Sequence, residues 1–372
     1  MISRRQLLIH AALLGVAGAL PLRLAAAPGD ARLLVVILRG GMDSLGVLVP
    51  HADDRYHDLR RELAGGAPGL LELDATFALH NALGPLQPLW RSGELLLLPA
   101  CATPYRERSH FDAQNVLENG GDKAHGLDSG WLNRTLGALP GAHAMALGAS
   151  MPLLLRGPAR AGSWSPSTLP GVDEDFLQRV MAMYQEDTLL AGTLDDAGPM
   201  GGMEGGRGPQ AFVTLCRQAA HFMTGEARLG SLDLNGWDTH VNQNRRLATQ
   251  LELLAKGLLA FREDMGAHWR NTAVLVVTEF GRTARGNGSG GTDHGTASLA
   301  MLLGGGLKGG RWLGDWPGLA RLYQDRDLQP ANDLRGLIHA VLEQHLGLPD
   351  ALIAERILPG SRALGGLGRL FA

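Results

Sequence analysis

The chain has 372 residues, 45% of them hydrophobic and 19% charged, with a formal net charge of −3. That length and apolar content can bury a large core, and the charge excludes both a disordered chain and the basic balance of a nucleic-acid-binding protein. Glycine is abundant, at 52 residues, without a collagen-like or tandem period, which indicates a loop-rich globular protein.

At the N-terminus, Ser3-Arg4-Arg5-Gln6-Leu7-Leu8 sets two adjacent arginines before an apolar run from Ile9 to Leu20, and Ala25-Ala26-Ala27 follows. The run is too short for a comfortable membrane span, and the small residues suit a cleavage point. The pattern resembles a twin-arginine (Tat) export signal, with Leu7 where Phe is commoner. Residues 1–27 are read as that signal and residues 28–372 as a single domain, periplasmic or secreted, with the Tat translocon as its partner during export. Cleavage would remove Arg4, Arg5 and Arg23 and no acid, taking the formal charge from −3 to about −6. No second long apolar segment follows, so neither membrane nor nucleic acid is an expected partner of the mature form.

The expected mature chain opens on Arg32 to Leu38, a short continuous apolar run of the kind that forms a strand buried on both faces. It stops at Arg39-Gly40-Gly41-Met42-Asp43. Helical periodicity from Leu83 to Trp90 precedes a strand over Glu94 to Leu98, then Cys101-Ala102-Thr103-Pro104-Tyr105-Arg106 and Arg108-Ser109-His110. A helix is expected over Phe111 to Glu118, stopped by Gly120-Gly121. Gly157 to Gly171 and Asp195 to Pro209 read as loops around a helix from Asp173 to Glu186. Order returns with a helix over Gln210 to Met223 and a strand over Arg228 to Leu234, which ends at Asn235-Gly236-Trp237-Asp238-Thr239-His240.

Leu247, Leu251, Leu254, Leu258, Phe261 and Met265 mark a long amphipathic helix. Thr272 to Val277 is a further buried strand, closed by Thr278-Glu279-Phe280-Gly281-Arg282. Gly288-Ser289-Gly290-Gly291-Thr292-Asp293-His294 leads into a strand from Ser298 to Leu303, and a last helix covers Leu334 to Leu346. Alternating strands and helices with continuous apolar strands predict an α/β fold: a mostly parallel central sheet with helices on both faces. Cys101 and Cys216 form no disulfide framework and are expected as small buried residues.

Ligands of such sheets bind outside the carboxyl ends of the strands. Asp43, Asp238, His240 and Glu279 each follow a predicted strand, and Ser109 heads the helix after another. Asp293-His294 instead precedes one. Carboxylates and neutral imidazoles suit Zn2+ or Mn2+, so Asp43, Asp238, His240, Glu279, Asp293 and His294 are candidate ligands for one or two divalent metal ions. Ser109 is the candidate nucleophile, with helix N–H groups beside it for an anion. Arg106, Arg108 and Arg282 are candidate substrate-binding cations. Simpler roles stand beside these: Asp43 and Ser109 as helix caps, and Glu279 as an ion-pair partner of Arg282.

The stretches around Arg39–Asp43, Arg108–Gln114, Thr278–Arg282 and Gly290–Gly295 resemble, in order, the signatures of domain-of-unknown-function family 1501. That family is placed in the alkaline phosphatase-like superfamily, with sulfatases and cofactor-independent phosphoglycerate mutases. The resemblance implies one or two divalent metals and hydrolysis of a phosphate or sulfate ester, small-molecule or glycan, with Ser109 as nucleophile. By it, Asp43 matches an acid that binds one metal, Asp238 and His240 resemble the Asp and His of another, and His294 resembles either the last histidine ligand or, with Asp293, an Asp-His ligand pair displaced by a glycine-rich insertion. Phe280 stands where the superfamily has a histidine, and Asp238-Thr239-His240 has a shorter step than the usual one. Both departures leave a non-catalytic binding or assembly protein on the same fold as an alternative. Cys101 to Arg106 is one residue longer than the sulfatase Cys-x-Pro-x-Arg motif, so formylglycine is not expected at Cys101. A metal-free serine esterase is a third reading, without a Gly-x-Ser-x-Gly motif to carry it.

Overall fold

The apolar run after Arg32 leaves no polar face to turn to solvent, and it forms the centre of the sheet. The computed structural model describes residues 29–61, 63, 69–166, 210–364 and 366–372. The expected signal and the helix expected at Asp173 to Glu186 lie outside the described residues, as does the loop from Asp195 to Pro209. The strands are β1 (Arg32–Arg39), β2 (Leu48–Val49), β3 (Leu71–Glu72), β4 (Ala78–Leu79), β5 (Leu95–Ala102), β6 (His143–Leu147), β7 (Gly162–Trp164), β8 (Ala227–Asn235), β9 (Thr272–Val277), β10 (Ser298–Gly304), β11 (Arg311–Trp312) and β12 (Asn332–Asp333).

Nine of them make one sheet in the order β11-β5-β10-β9-β1-β8-β6-β7, with β12 also on β5, while β2, β4 and β3 form a small antiparallel sheet. Every pairing in the large sheet is parallel except the two made by β10, which runs antiparallel to both β5 and β9. The expected α/β architecture is therefore present, with one reversed strand inside it.

Alternate residues of β1 feed two separate cores. Leu34, Val36 and Leu38 pack with helices α3 (Gln210–Thr224) and α4 (Gln243–Met265), and Leu33, Val35 and Ile37 pack with α2 (Trp131–Gly137) and α5 (Leu334–Gln344). Burying both faces removes apolar side chains from water at about 25 cal/mol per Å2, which explains why these strands lack polar alternation. Cys216 lies in the first core and Cys101 in the second; both are buried and free.

Three local expectations change. The helix expected from Leu83 to Trp90 starts as a 3-10 segment, Asn81–Leu86, before a short α-turn, Gln87–Arg91; Pro85 and Pro88 lack the N–H groups a continuous α-helix needs. The strand expected over Glu94 to Leu98 continues to Ala102. Part of the loop expected from Gly157 is β7, an edge strand too short for a periodic signal. Helix α1 (His110–Asn119) ends on Gly120, whose φ of +70° is the left-handed turn a glycine stop supplies. Among the described residues, no helix is long and apolar enough to cross a membrane.

Candidate metal centre

Strands β1, β8, β9 and β5 run the same way, so the segments after them open on one edge of the sheet. Reversed β10 starts at that edge, so a residue just before it arrives where the others end. This topology brings His294 to Asp238, His240, Glu279 and the Ser109-His110 turn. Glycines permit the approach: a Cβ on Gly40 would lie 2.4 Å from Asp238 N, and one on Gly291 would lie 2.2 Å from the His240 carbonyl oxygen.

Three imidazoles meet there. His294 Nε2 lies 3.1 Å from His110 Nε2 and 3.1 Å from His240 Nε2. Asp238 Oδ1 is 3.0 Å from His240 Nε2 and 3.3 Å from His294 Nε2, and its Oδ2 is 3.7 Å from His110 Nε2. Each ring has an acceptor for its other nitrogen. His110 Nδ1 is 2.9 Å from Glu279 Oε1, His240 Nδ1 is 3.1 Å from Asp293 Oδ1, and His294 Nδ1 is 3.1 Å from the Arg108 carbonyl oxygen. A neutral imidazole carries one N–H, and an acceptor at Nδ1 draws it there. With the three protons on Nδ1, three Nε2 lone pairs converge beside a carboxylate. A cation among them relieves that arrangement, as does a His240 proton placed on Nε2 toward Asp238, and the donor set suits a divalent metal ion. Donor atoms of His110, Asp238 and His294 all lie within 4.8 Å of one another, which fits one ion.

The surrounding charges tune the group. Glu279 holds the His110 imidazole above the ordinary histidine range, whereas burial and the neighbouring His110 hold His294 below it. Burial pushes Asp238 up, but the Arg282 guanidinium at 2.6 Å outweighs it and the carboxyl ends low. Burial also pushes Glu279 up, and its bonds from His110, Gln114 and the Gly40 N–H leave it net low. The opening lies on the Asp238–His240 side, where the side chains are 44% and 41% exposed against 26% for His110.

The other expected site residues have different surroundings. Asp43 does not join the cluster: it is 1% exposed, with both oxygens bound by Arg60 at 2.6 and 2.7 Å and Gln243 Nε2 at 2.5 Å. The cation beside Asp43 is therefore the chain's own guanidinium. Glu279 is an acceptor for His110 and Gln114 rather than a group facing the Nε2 atoms. Arg282 is buried on Asp238 and Thr292 rather than free for a substrate, and Arg108 is held by Asp327 and Gln324. Arg106 bonds the carbonyls of Thr103 and Tyr105. Ser109 precedes α1 in the capping position, and its side chain makes no capping bond. Cys101 lies inside β5, where burial pushes its thiol up to about 12.

Sequence reasoning passed over His110, Arg60 and Gln243. His110 was findable by the strand-end rule that selected Ser109, because it is the first residue of the same helix. Arg60 carried no local signal, since its partner is fixed only by the tertiary fold.

The family described as "Protein of unknown function (DUF1501)" matches residues 100–355, a span that holds all four converging groups but not Asp43 or Arg60. No curated relative matches the sequence. Among solved structures, the chain is similar to Ps i-CgsB in complex with k-i-k-neocarrahexaose, at 8% identity and a TM-score of 0.45, over 91% of this chain and 74% of that one. It is also similar to the zinc complex of the C-terminal periplasmic domain of EcEptC from Escherichia coli, at 10% identity and a TM-score of 0.39, over 92% of each chain. A protein in the alkaline phosphatase superfamily from Vibrio parahaemolyticus is similar at 10% identity and a TM-score of 0.35, over 74% of this chain and 60% of that one. The chain belongs to the DUF1501 family.

Proposed function

We propose that this chain is an exported, metal-dependent hydrolase of a phosphate or sulfate ester, with Ser109 as its nucleophile. The observation that carries the reading is the convergence of three imidazole Nε2 atoms on the Asp238 carboxylate. His110, His240, His294 and Asp238 would hold one divalent ion, Zn2+ or Mn2+, which supplies Lewis acidity toward an anionic ester oxygen.

The chain's own residues do the rest. Glu279, Asp293 and the Arg108 carbonyl keep each imidazole proton on Nδ1, and Arg282 keeps Asp238 ionised. Ser109 follows Arg108, a non-glycine residue at φ +64°, a conformation that proteins hold mainly where surrounding contacts enforce it. Its hydroxyl sits at the head of α1, where free backbone N–H groups can take the anionic group of a small-molecule or glycan ester. The twin arginines and the apolar run behind them support export by the Tat route, with residues 28–372 as one mature domain in the periplasm or medium.

Elemental mass spectrometry on signal-free protein tests the centre. Wild type should retain about one zinc or manganese per chain, and His110→Ala and His294→Ala should retain none. Ser109→Ala should keep the metal and lose turnover of phosphate and sulfate esters by at least ~100-fold. Wild-type protein that stays metal-free after metal is supplied would sink the hydrolase reading. One specific observation favours a binding or assembly role instead. Arg60 takes the cation position beside Asp43, leaving a single centre where the family resemblance implied up to two, and metal bound without turnover of any ester would select that reading.

A further inference from the structure

Residues 323–327 form a tight turn closed by Tyr323 N–H to the Asp327 carbonyl at 2.8 Å and Asp327 N–H to the Tyr323 carbonyl at 3.0 Å. Two successive non-glycine residues in it, Gln324 and Asp325, have φ of +54° and +55°. Side chains of L-residues rarely adopt that conformation unless other contacts enforce it. The contacts here reach two parts of the candidate centre. Asp327, 0% exposed, accepts from Arg108 Nε at 2.8 Å and Nη2 at 2.7 Å, and Gln324 Oε1 accepts from Arg108 Nη2 at 2.6 Å. Arg326 Nη2 donates to the His294 carbonyl at 2.9 Å.

Arg108 is itself left-handed, and its carbonyl takes the Nδ1 proton of His294. Among the described residues, its side chain is anchored in the turn. The carbonyl's direction therefore depends on Asp327, and so does the nitrogen on which His294 carries its proton. Without that acceptor, nothing favours Nδ1, and a proton on Nε2 would block the atom that faces His110 and His240.

From this chain of contacts we infer that Asp327 is a positioning residue: acting through Arg108, it sets the tautomer of His294 and the backbone that presents Ser109. The inference deepens the metal-centre reading and rests on it for its consequence, but the tautomer itself is measurable without metal.

Long-range proton–nitrogen correlation spectra of the metal-free protein in alkaline buffer report each imidazole's proton. In wild type, His294 should carry it on Nδ1. In Asp327→Ala it should shift to Nε2, while His110, held by Glu279, stays on Nδ1. Zinc affinity, read by competition with a chelator, should fall about 10–100-fold. Asp327→Asn, which keeps the shape and loses the charge, carries the test if the alanine variant does not fold, and should move the same signal in the same direction.

An unmoved His294 signal in a folded variant overturns the role. Equal changes at His110 and His294 overturn it too, because they would mean general loosening. Wild-type protein with the expected tautomers that takes up no zinc would refute the metal reading and leave the positioning intact.

Discussion

A carboxylate after the first strand of an α/β sheet reads as a ligand, and the structure shows why that rule misleads at Asp43. Arg60 and Asp43 are each 1% exposed and bonded through both carboxylate oxygens. Removing one partner leaves the other charge buried and unpaired. Arg60→Ala should therefore cost about 3–5 kcal/mol, seen as a lower urea midpoint at unchanged slope. Replacing both with apolar residues, as in Asp43→Leu with Arg60→Met, should recover part of that loss, and a double variant no better than the single would refute the account. Asp238, His240 and His294 were legible because strand ends and glycine-rich turns advertise themselves. His110 was hidden behind Ser109, and the Asp43–Arg60 pair was illegible because composition around residue 60 says nothing of where its guanidinium goes.

Elements were legible where burial imposes a period. Strands β1, β9 and β10 and helices α3, α4 and α5 fall within a few residues of their expected bounds, because each has a continuous or 3.6-residue apolar pattern. β6, β7 and the small β2-β4-β3 sheet had no such pattern and went unseen, and no sequence feature disclosed the reversal of β10. One contact between elements makes a pH prediction. His345, at the end of α5, reaches the Arg32 carbonyl of β1 at 2.8 Å, and burial holds its imidazole below the ordinary value. The fold thus binds the neutral ring. That stabilisation is complete above the unfolded pKa of about 6.5 and is lost as pH falls from there toward the depressed folded value. The urea midpoint should drop as pH falls below about 6.5, and His345→Gln, which cannot titrate, should lose less than wild type does. Equal losses in both proteins would assign the acid sensitivity elsewhere.

At the scale of the whole molecule, the sheet separates two cores, and the two thiols lie on opposite sides of it. Cys216 is 0% and Cys101 4% exposed, and burial pushes both thiols up. Oxidising buffer should leave them unpaired. A thiol reagent should label neither in native buffer and both in denaturant, and reductant should not change the unfolding midpoint; rapid native labelling would contradict the separation. The same sheet order has a consequence in time. Among the described residues, strand β10 is what joins β5, with His110 beyond it, to β9, β1 and β8, with Asp238 and His240 beyond them. A nascent chain ending at residue 297 would already contain every converging donor and yet have its sheet in two parts. The four donors would then come together late in synthesis, through a strand that contributes none of them, and their convergence would report that the two parts of the sheet have joined.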